Sequence, residues 1–207
     1  HCGDFAEIII IGQDFTAYCD GLLDAGIARI PPPEIATTRP RYQGTIEVNK
    51  QLLTYGRAVL KELAKSSSIE DINSPMMFHP DLHKRNIFVS EEDPTVVSAI
   101  IDWQSTSIDP AFWYANTTPD FAEPIPDPSY KDGWEPKSGA CAKTWDITIE
   151  AFAPKLSVAR RTDEAYYWPF HYCHLTWEDG AAAFHEELIQ TARLWTELGL
   201  TAPCPYP

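Results

Sequence analysis

His79, Asp81, Asn86 and Asp102 are the residues of this chain whose types and spacing could do chemistry. They lie in one stretch, Met77 to Gln104, which reads MFHPDLHKRNIFVSEEDPTVVSAIIDWQ. Asp102 and Asn86 offer a carboxylate and an amide carbonyl, the hard oxygen ligands that magnesium takes beside the phosphates of a nucleotide. Asp81 stands five residues before Asn86, free of the metal. It is placed to accept the proton of an attacking hydroxyl. The three together suit phosphoryl transfer.

Something must bring them together. Two short apolar runs, Ile87-Phe88-Val89 and Val96 to Ile101, flank the turn-forming Glu91-Glu92-Asp93-Pro94. That pattern predicts a β-hairpin. A hairpin holds its outer ends close, so Asp81 and Asn86 before the first strand should converge with Asp102 at the end of the second.

The residues His79-Pro80-Asp81-Leu82-His83-Lys84-Arg85-Asn86, followed by Ile101-Asp102-Trp103, resemble the catalytic loop and metal-binding segment of the protein-kinase fold. Within that fold they resemble the aminoglycoside phosphotransferase-like branch, which carries His after the Asp-Leu pair and Asp-Trp in place of Asp-Phe-Gly. The longer run, with Ile101 to Ser105, Leu198-Gly199-Leu200 and Cys204-Pro205-Tyr206, is similar to the fungal phosphotransferase-enzyme family, some members of which are named for mitochondrial inheritance. The similarity covers most of the chain and is specific around residues 77–105. It implies Asp81 as catalytic base, His79 as the histidine that braces the loop, and Asn86 and Asp102 as metal ligands. It further implies ATP and Mg2+ as cofactors and a small-molecule hydroxyl as acceptor.

His83 and Lys84 stand as cofactor-binding candidates beside the phosphates. Taken alone, His83 reads as a hydrogen-bonding loop residue, and Lys84-Arg85 equally as a solvated basic pair. His79, Asp81 and His83 also alternate, so a transition-metal site on one strand face is a competing reading. It lacks a fourth ligand and leaves Asn86 and Asp102 unexplained.

Departures from the family pattern matter as much as the matches. Pro80 replaces the usual Gly or Arg, and Gln104 replaces the glycine of Asp-Phe-Gly. Trp113-Tyr114-Ala115 stands where relatives carry Asp-Leu-Ala after the Asp109-Pro110 equivalent, so that internal brace is missing or replaced. No G-x-G-x-x-G loop and no Val-Ala-x-Lys strand precede His79, and 78 residues upstream do not accommodate a five-stranded N-lobe. The expectation is an α+β, mostly helical C-terminal lobe with the N-lobe absent. Such a lobe alone should bind ATP poorly. The alternative is a truncated or degenerate kinase-like binding module without catalysis.

With 207 residues, 44% hydrophobic and 12% aromatic, the chain can bury a sizeable core. The net charge of −14 argues against nucleic-acid binding, which needs a basic footprint. No apolar run reaches the ~18 residues of a membrane span. The five cysteines are scattered without C-x-x-C spacing, which points to a reduced intracellular compartment, cytoplasmic or mitochondrial, with the thiols as small core or surface residues. The chain opens at His1 without Met, so a fragment or processed product is expected, and nothing follows about a targeting peptide.

Around the motif, residues 1–44 read as a strand-like Ile8-Ile9-Ile10-Ile11, a helix from Asp14 to Ile30 and a Pro-rich linker. Residues 45–207 read as the kinase-like lobe. It opens with a helix from Thr45 to the Ser66-Ser67-Ser68 run. Helices are expected over Cys141 to Phe152, Thr162 to Trp177 and Asp179 to Leu198, after an irregular loop from Thr117 to about Ser138. Phe112-Trp113-Tyr114 reads as core more readily than as a substrate platform.

Overall fold

The computed structural model describes residues 14–35, 40–131, 133 and 135–207, so the strand expected at Ile8 to Ile11 lies outside the described residues. The fold is α+β, about 53% helical, with two small antiparallel sheets. The chain forms two compact units: one takes the residues up to Glu70 together with Asp163–Pro207, the other Asp71–Thr162.

The first unit is built of helices. They are α1 (Phe15–Ala28), α2 (Ile46–Leu63), α3 (Ser67–Glu70), α6 (Trp168–Cys173), α7 (Thr176–Asp179) and α8 (Ala181–Arg193). α1 and α2 each start where a polar side chain takes an orphan N–H. Asp14 accepts from the Ala17 N–H at 2.9 Å, and Thr45 accepts from Val48 at 3.3 Å. The apolar stripes Leu22-Leu23 of α1, Leu52, Leu53, Val59 and Leu60 of α2, and Phe184 and Leu188 of α8 are buried in one core with Phe170. Sequence periodicity finds α1 and α2 but overruns at the end. The helix expected over Thr162 to Trp177 is broken into a 3-10 turn at Glu164–Tyr166 followed by α6 and α7, with Pro169 in the first turn of α6. The last helix begins after Gly180, whose φ of 114° no helix accommodates, and closes at Arg193 rather than Leu198.

Gly26 shows how closely these helices pack. A Cβ there would stand 2.6 Å from the Cys173 backbone oxygen and 3.0 Å from Leu53 Cδ2. A backbone oxygen cannot rotate away, so Gly26→Ala must part α1 from α6. The gain in helix propensity, up to ~1 kcal/mol, is outweighed by overpacking of about 1–3 kcal/mol. The expected result is a lower urea midpoint at unchanged slope; a raised midpoint would show that the helices can separate freely. Burial pushes the Cys19 thiol up to about 12 and the Cys173 thiol higher still, so both are protonated core residues.

The second unit holds β1 (Pro75–Met77), β2 (Ile87–Val89), β3 (Val97–Ile100), β4 (Ile108–Pro110), α4 (Pro136–Phe152) and α5 (Pro154–Arg161). β2 and β3 form the expected hairpin, with Ile87 opposite Ile100, Phe88 opposite Ala99, and a bulge between Phe88 and Val89. β1 pairs antiparallel with β4, Met76 opposite Asp109, a pairing the sequence reading did not anticipate. α4 starts five residues earlier than expected, at Pro136 behind a Glu135 carboxylate that accepts the Ser138 N–H at 2.7 Å. α5 is a further helix, set off from α4 by the non-helical Ala153. The core joins Phe78, Ile149 and Leu156, with Met76, Tyr114 and Trp145 against it. No helix among the described residues is long and apolar enough to cross a membrane.

Candidate active site

The loop between β1 and β2 carries His79, Asp81, His83, Lys84 and Asn86, and its two ends are tied to the far strand of the hairpin. At the first end, the Asp81 N–H donates to His79 Nδ1 at 3.2 Å, so the ring proton sits on Nε2 and is donated to the Ile101 carbonyl at 2.8 Å. His79 is buried, and its ring meets Trp103 edge-on at 4.7 Å. Trp103 in turn donates its indole N–H to Ile100 O at 2.8 Å. At the second end, the Asn86 carbonyl accepts the Ile101 N–H at 3.0 Å, which continues the ladder of β2 and β3. Two backbone atoms of Ile101 therefore fix both ends of the loop, and Asp102 is the next residue.

Asp102 has a φ of 67°, in the left-handed region that Asp enters more readily than most residues. It is exposed, and its carboxylate makes no hydrogen bond or ion pair with any described residue. Asn86 is buried, and both of its side-chain hydrogen bonds are made by Nδ2: to the Asp81 carbonyl at 2.8 Å and to Asp81 Oδ2 at 3.0 Å. Its Oδ1 is left as an acceptor. A carboxylate and an amide oxygen without partners among the described residues form a donor set that fits Mg2+. A transition-metal site on His79, Asp81 and His83 does not form, because both ring nitrogens of His79 are engaged. Among the described residues no cluster of three His, Cys, Asp or Glu could hold a metal.

The Asp81 carboxylate is surrounded by donors. His83 Nε2 lies 2.8 Å from Oδ1, and Arg85 Nη2 lies 3.0 Å from Oδ1 and 2.7 Å from Oδ2, beside the Asn86 contact. Partial burial alone would raise its pKa; the hydrogen bonds from Arg85 and Asn86, with the charges of Arg85 and His83, outweigh that and hold the carboxyl below its usual range. The sign follows directly. A depressed native pKa contributes stability above the unfolded value of about 3.9, and that stability is lost as pH falls through the native value. Carboxyl-carbon NMR is expected to show Asp81 titrating below ordinary aspartates, and Arg85→Gln should bring its midpoint up; a midpoint that stays put would remove Arg85 as the cause.

His83 faces Asp81 on one side and Asp120 Oδ2, at 3.7 Å, on the other. The Lys84 side chain is exposed and makes no ion pair among the described residues, while its backbone N–H donates to Asp120 Oδ1 at 3.1 Å. Below the loop, Asp109 is held by the Tyr114 hydroxyl at 2.9 Å and by Ser107, and the Tyr114 ring stacks on Phe78 at 4.8 Å. Tyr114 therefore braces Asp109 beneath the loop. Burial pushes its phenol up to about 12, with the Asp109 charge adding to the shift, so the hydroxyl remains a donor through neutral pH. Two contributors were not singled out by sequence: Asp120, and Arg85 as the partner of Asp81. The motif residue Trp103 was not foreseen as the neighbour of His79. Only Arg85 had a local signal, its spacing of four from Asp81.

Compared with protein-family models, curated proteins and solved structures, the chain matches none. The functional reading therefore rests on the residues and their geometry.

Proposed function

We propose that this chain carries the catalytic loop of a kinase-like phosphotransferase, in a C-terminal-lobe arrangement that is inactive alone, and that the complete enzyme moves the γ-phosphate of ATP to a hydroxyl of a small-molecule acceptor. The observation that carries the proposal is the double tie of the loop to Ile101. It holds Asp81 and Asn86 next to the residue before Asp102, whose carboxylate has no partner among the described residues. Asn86 Oδ1 and Asp102 are the groups to hold magnesium, which when bound neutralises charge on the phosphates. Asp81 orients the acceptor hydroxyl and takes its proton at Oδ1 or Oδ2. Its depressed pKa keeps it ionised and makes it a modest base, which suits a loose transition state in which the proton leaves late. His79 keeps the loop in register, and His83 and Lys84 stand beside the phosphates.

The hairpin adds support. Phe88, Val89, Val97, Ile100, Ile101 and Trp103 are all exposed apolar side chains on one small element. Exposed apolar surface of this kind next to phosphate-binding groups suits contact with an adenine ring.

A second reading has its own observation. Both oxygens of Asp81 already have donors, as expected of a binding module that no longer catalyses. Magnesium-dependent transfer of labelled γ-phosphate to sugars, choline-like amines or peptide hydroxyls separates the two. Nucleotide binding without transfer to any acceptor class would favour the module.

A further inference from the structure

The ends of the catalytic loop are fixed by Ile101, but its middle, Leu82 to Arg85, reaches outside the loop through a different residue. Asp120 Oδ1 accepts the Lys84 N–H at 3.1 Å, across 36 residues of sequence. Its other oxygen stands 3.7 Å from His83 Nδ1, while His83 Nε2 lies 2.8 Å from Asp81. Three side chains thus stand in a row, Asp120, His83 and Asp81, with the imidazole between two carboxylates.

Asp120 is itself well anchored. It occupies a turn in which the Ala122 N–H donates to the Pro119 carbonyl at 2.8 Å, and Pro119 and Ala122 are both buried. The chain just before that turn is tied to α5, because Arg160 Nη1 donates to the Ala115 and Thr117 carbonyls, each at 3.4 Å. Arg85 also touches Asp81, but its side chain is 67% exposed against 37% for His83 and 40% for Asp120, and the more exposed an ion pair is, the more weakly it holds a geometry. His83 is the stiffer contact, having only two side-chain torsions and a neighbour at each ring nitrogen.

On the phosphotransferase reading above, we propose that Asp120 is a positioning residue. By gripping the Lys84 N–H and standing behind the His83 ring, it sets His83 against Asp81 and fixes the plane of the Asp81 carboxylate. That plane decides which oxygen lone pair meets the acceptor hydroxyl, and small misplacements of a reacting group are expensive in rate.

The test is long-range proton–nitrogen correlation of the His83 imidazole in the full chain at one fixed pH, with Asp81→Asn as the reference for a broken His83–Asp81 contact. Asp120→Ala is expected to move the His83 Nε2 resonance in the same direction as Asp81→Asn, although it acts on the opposite side of the ring. Asp120→Asn keeps an oxygen for the Lys84 N–H and should leave Nε2 nearer its original position. If the alanine variant does not fold, the asparagine variant carries the test: Nδ1 must move while the Lys84 amide stays protected. An Nε2 resonance that responds to Asp81→Asn but not to Asp120→Ala overturns the positioning role, as does an Nδ1 resonance indifferent to Asp120→Asn. Neither signal requires turnover, so a failure of the phosphotransferase reading registers separately. In the transfer reaction Asp120→Ala should lower kcat about tenfold.

Discussion

In the full-length protein active in transfer, Asp81→Asn is expected to slow single-turnover phosphate transfer by about 10²- to 10⁴-fold, the range over which general acid–base catalysis contributes. The substitution keeps the size of the side chain and removes both the negative charge and the basic oxygen. Nucleotide affinity in the presence of magnesium should stay within about twofold, because in the proposed mechanism the base acts on the acceptor and the metal does not rest on it. The hydrogen bonds that define the loop ends involve His79, Ile101 and the backbone of Asn86, so the loop keeps its frame. Equal turnover in the variant and the original chain would remove Asp81 from the chemistry.

The second large effect belongs to Asp102. Asp102→Asn should weaken magnesium-dependent nucleotide binding and turnover together, by about two orders of magnitude, since a full charge is taken from the ion that neutralises the phosphates. Asparagine tolerates the left-handed backbone at this position, φ 67°, so the fold should be kept and the loss should be electrostatic. Titration of nucleotide affinity with magnesium distinguishes the two variants. If Asp81→Asn abolishes the magnesium dependence and Asp102→Asn leaves it, the two roles are reversed.

The parts of the site legible in the sequence were those encoded locally. Ile87-Phe88-Val89 and Val96 to Ile101 fold into the hairpin their alternation with a polar turn implies, and caps at Asp14 and Thr45 start helices where expected. What escaped was long-range or made of very short pieces. β1 and β4 are three residues each, bounded by Pro75 and Pro110, too short to show a period. The end of α4 at Phe152 was legible, but α5 was not: Pro154 reads as a stop, yet after the single non-helical Ala153 it opens a new helix. Asp120 sits in a loop rich in Asp and Pro, where one acidic residue looks like any other. Its distinction is spatial, in meeting Lys84 and His83 at a distance of 36 residues along the chain.

Mn2+ bound to ATP, added to the isotope-labelled chain, tests the central claim most directly, because the paramagnetic ion broadens nearby amide signals whether or not phosphate is transferred. The account predicts that broadening centres on Asn86 and Asp102, includes Asp81 and His83, and disappears in Asp102→Asn. Broadening centred instead on the acidic turn Glu91 to Asp93, or unchanged by Asp102→Asn, would contradict it.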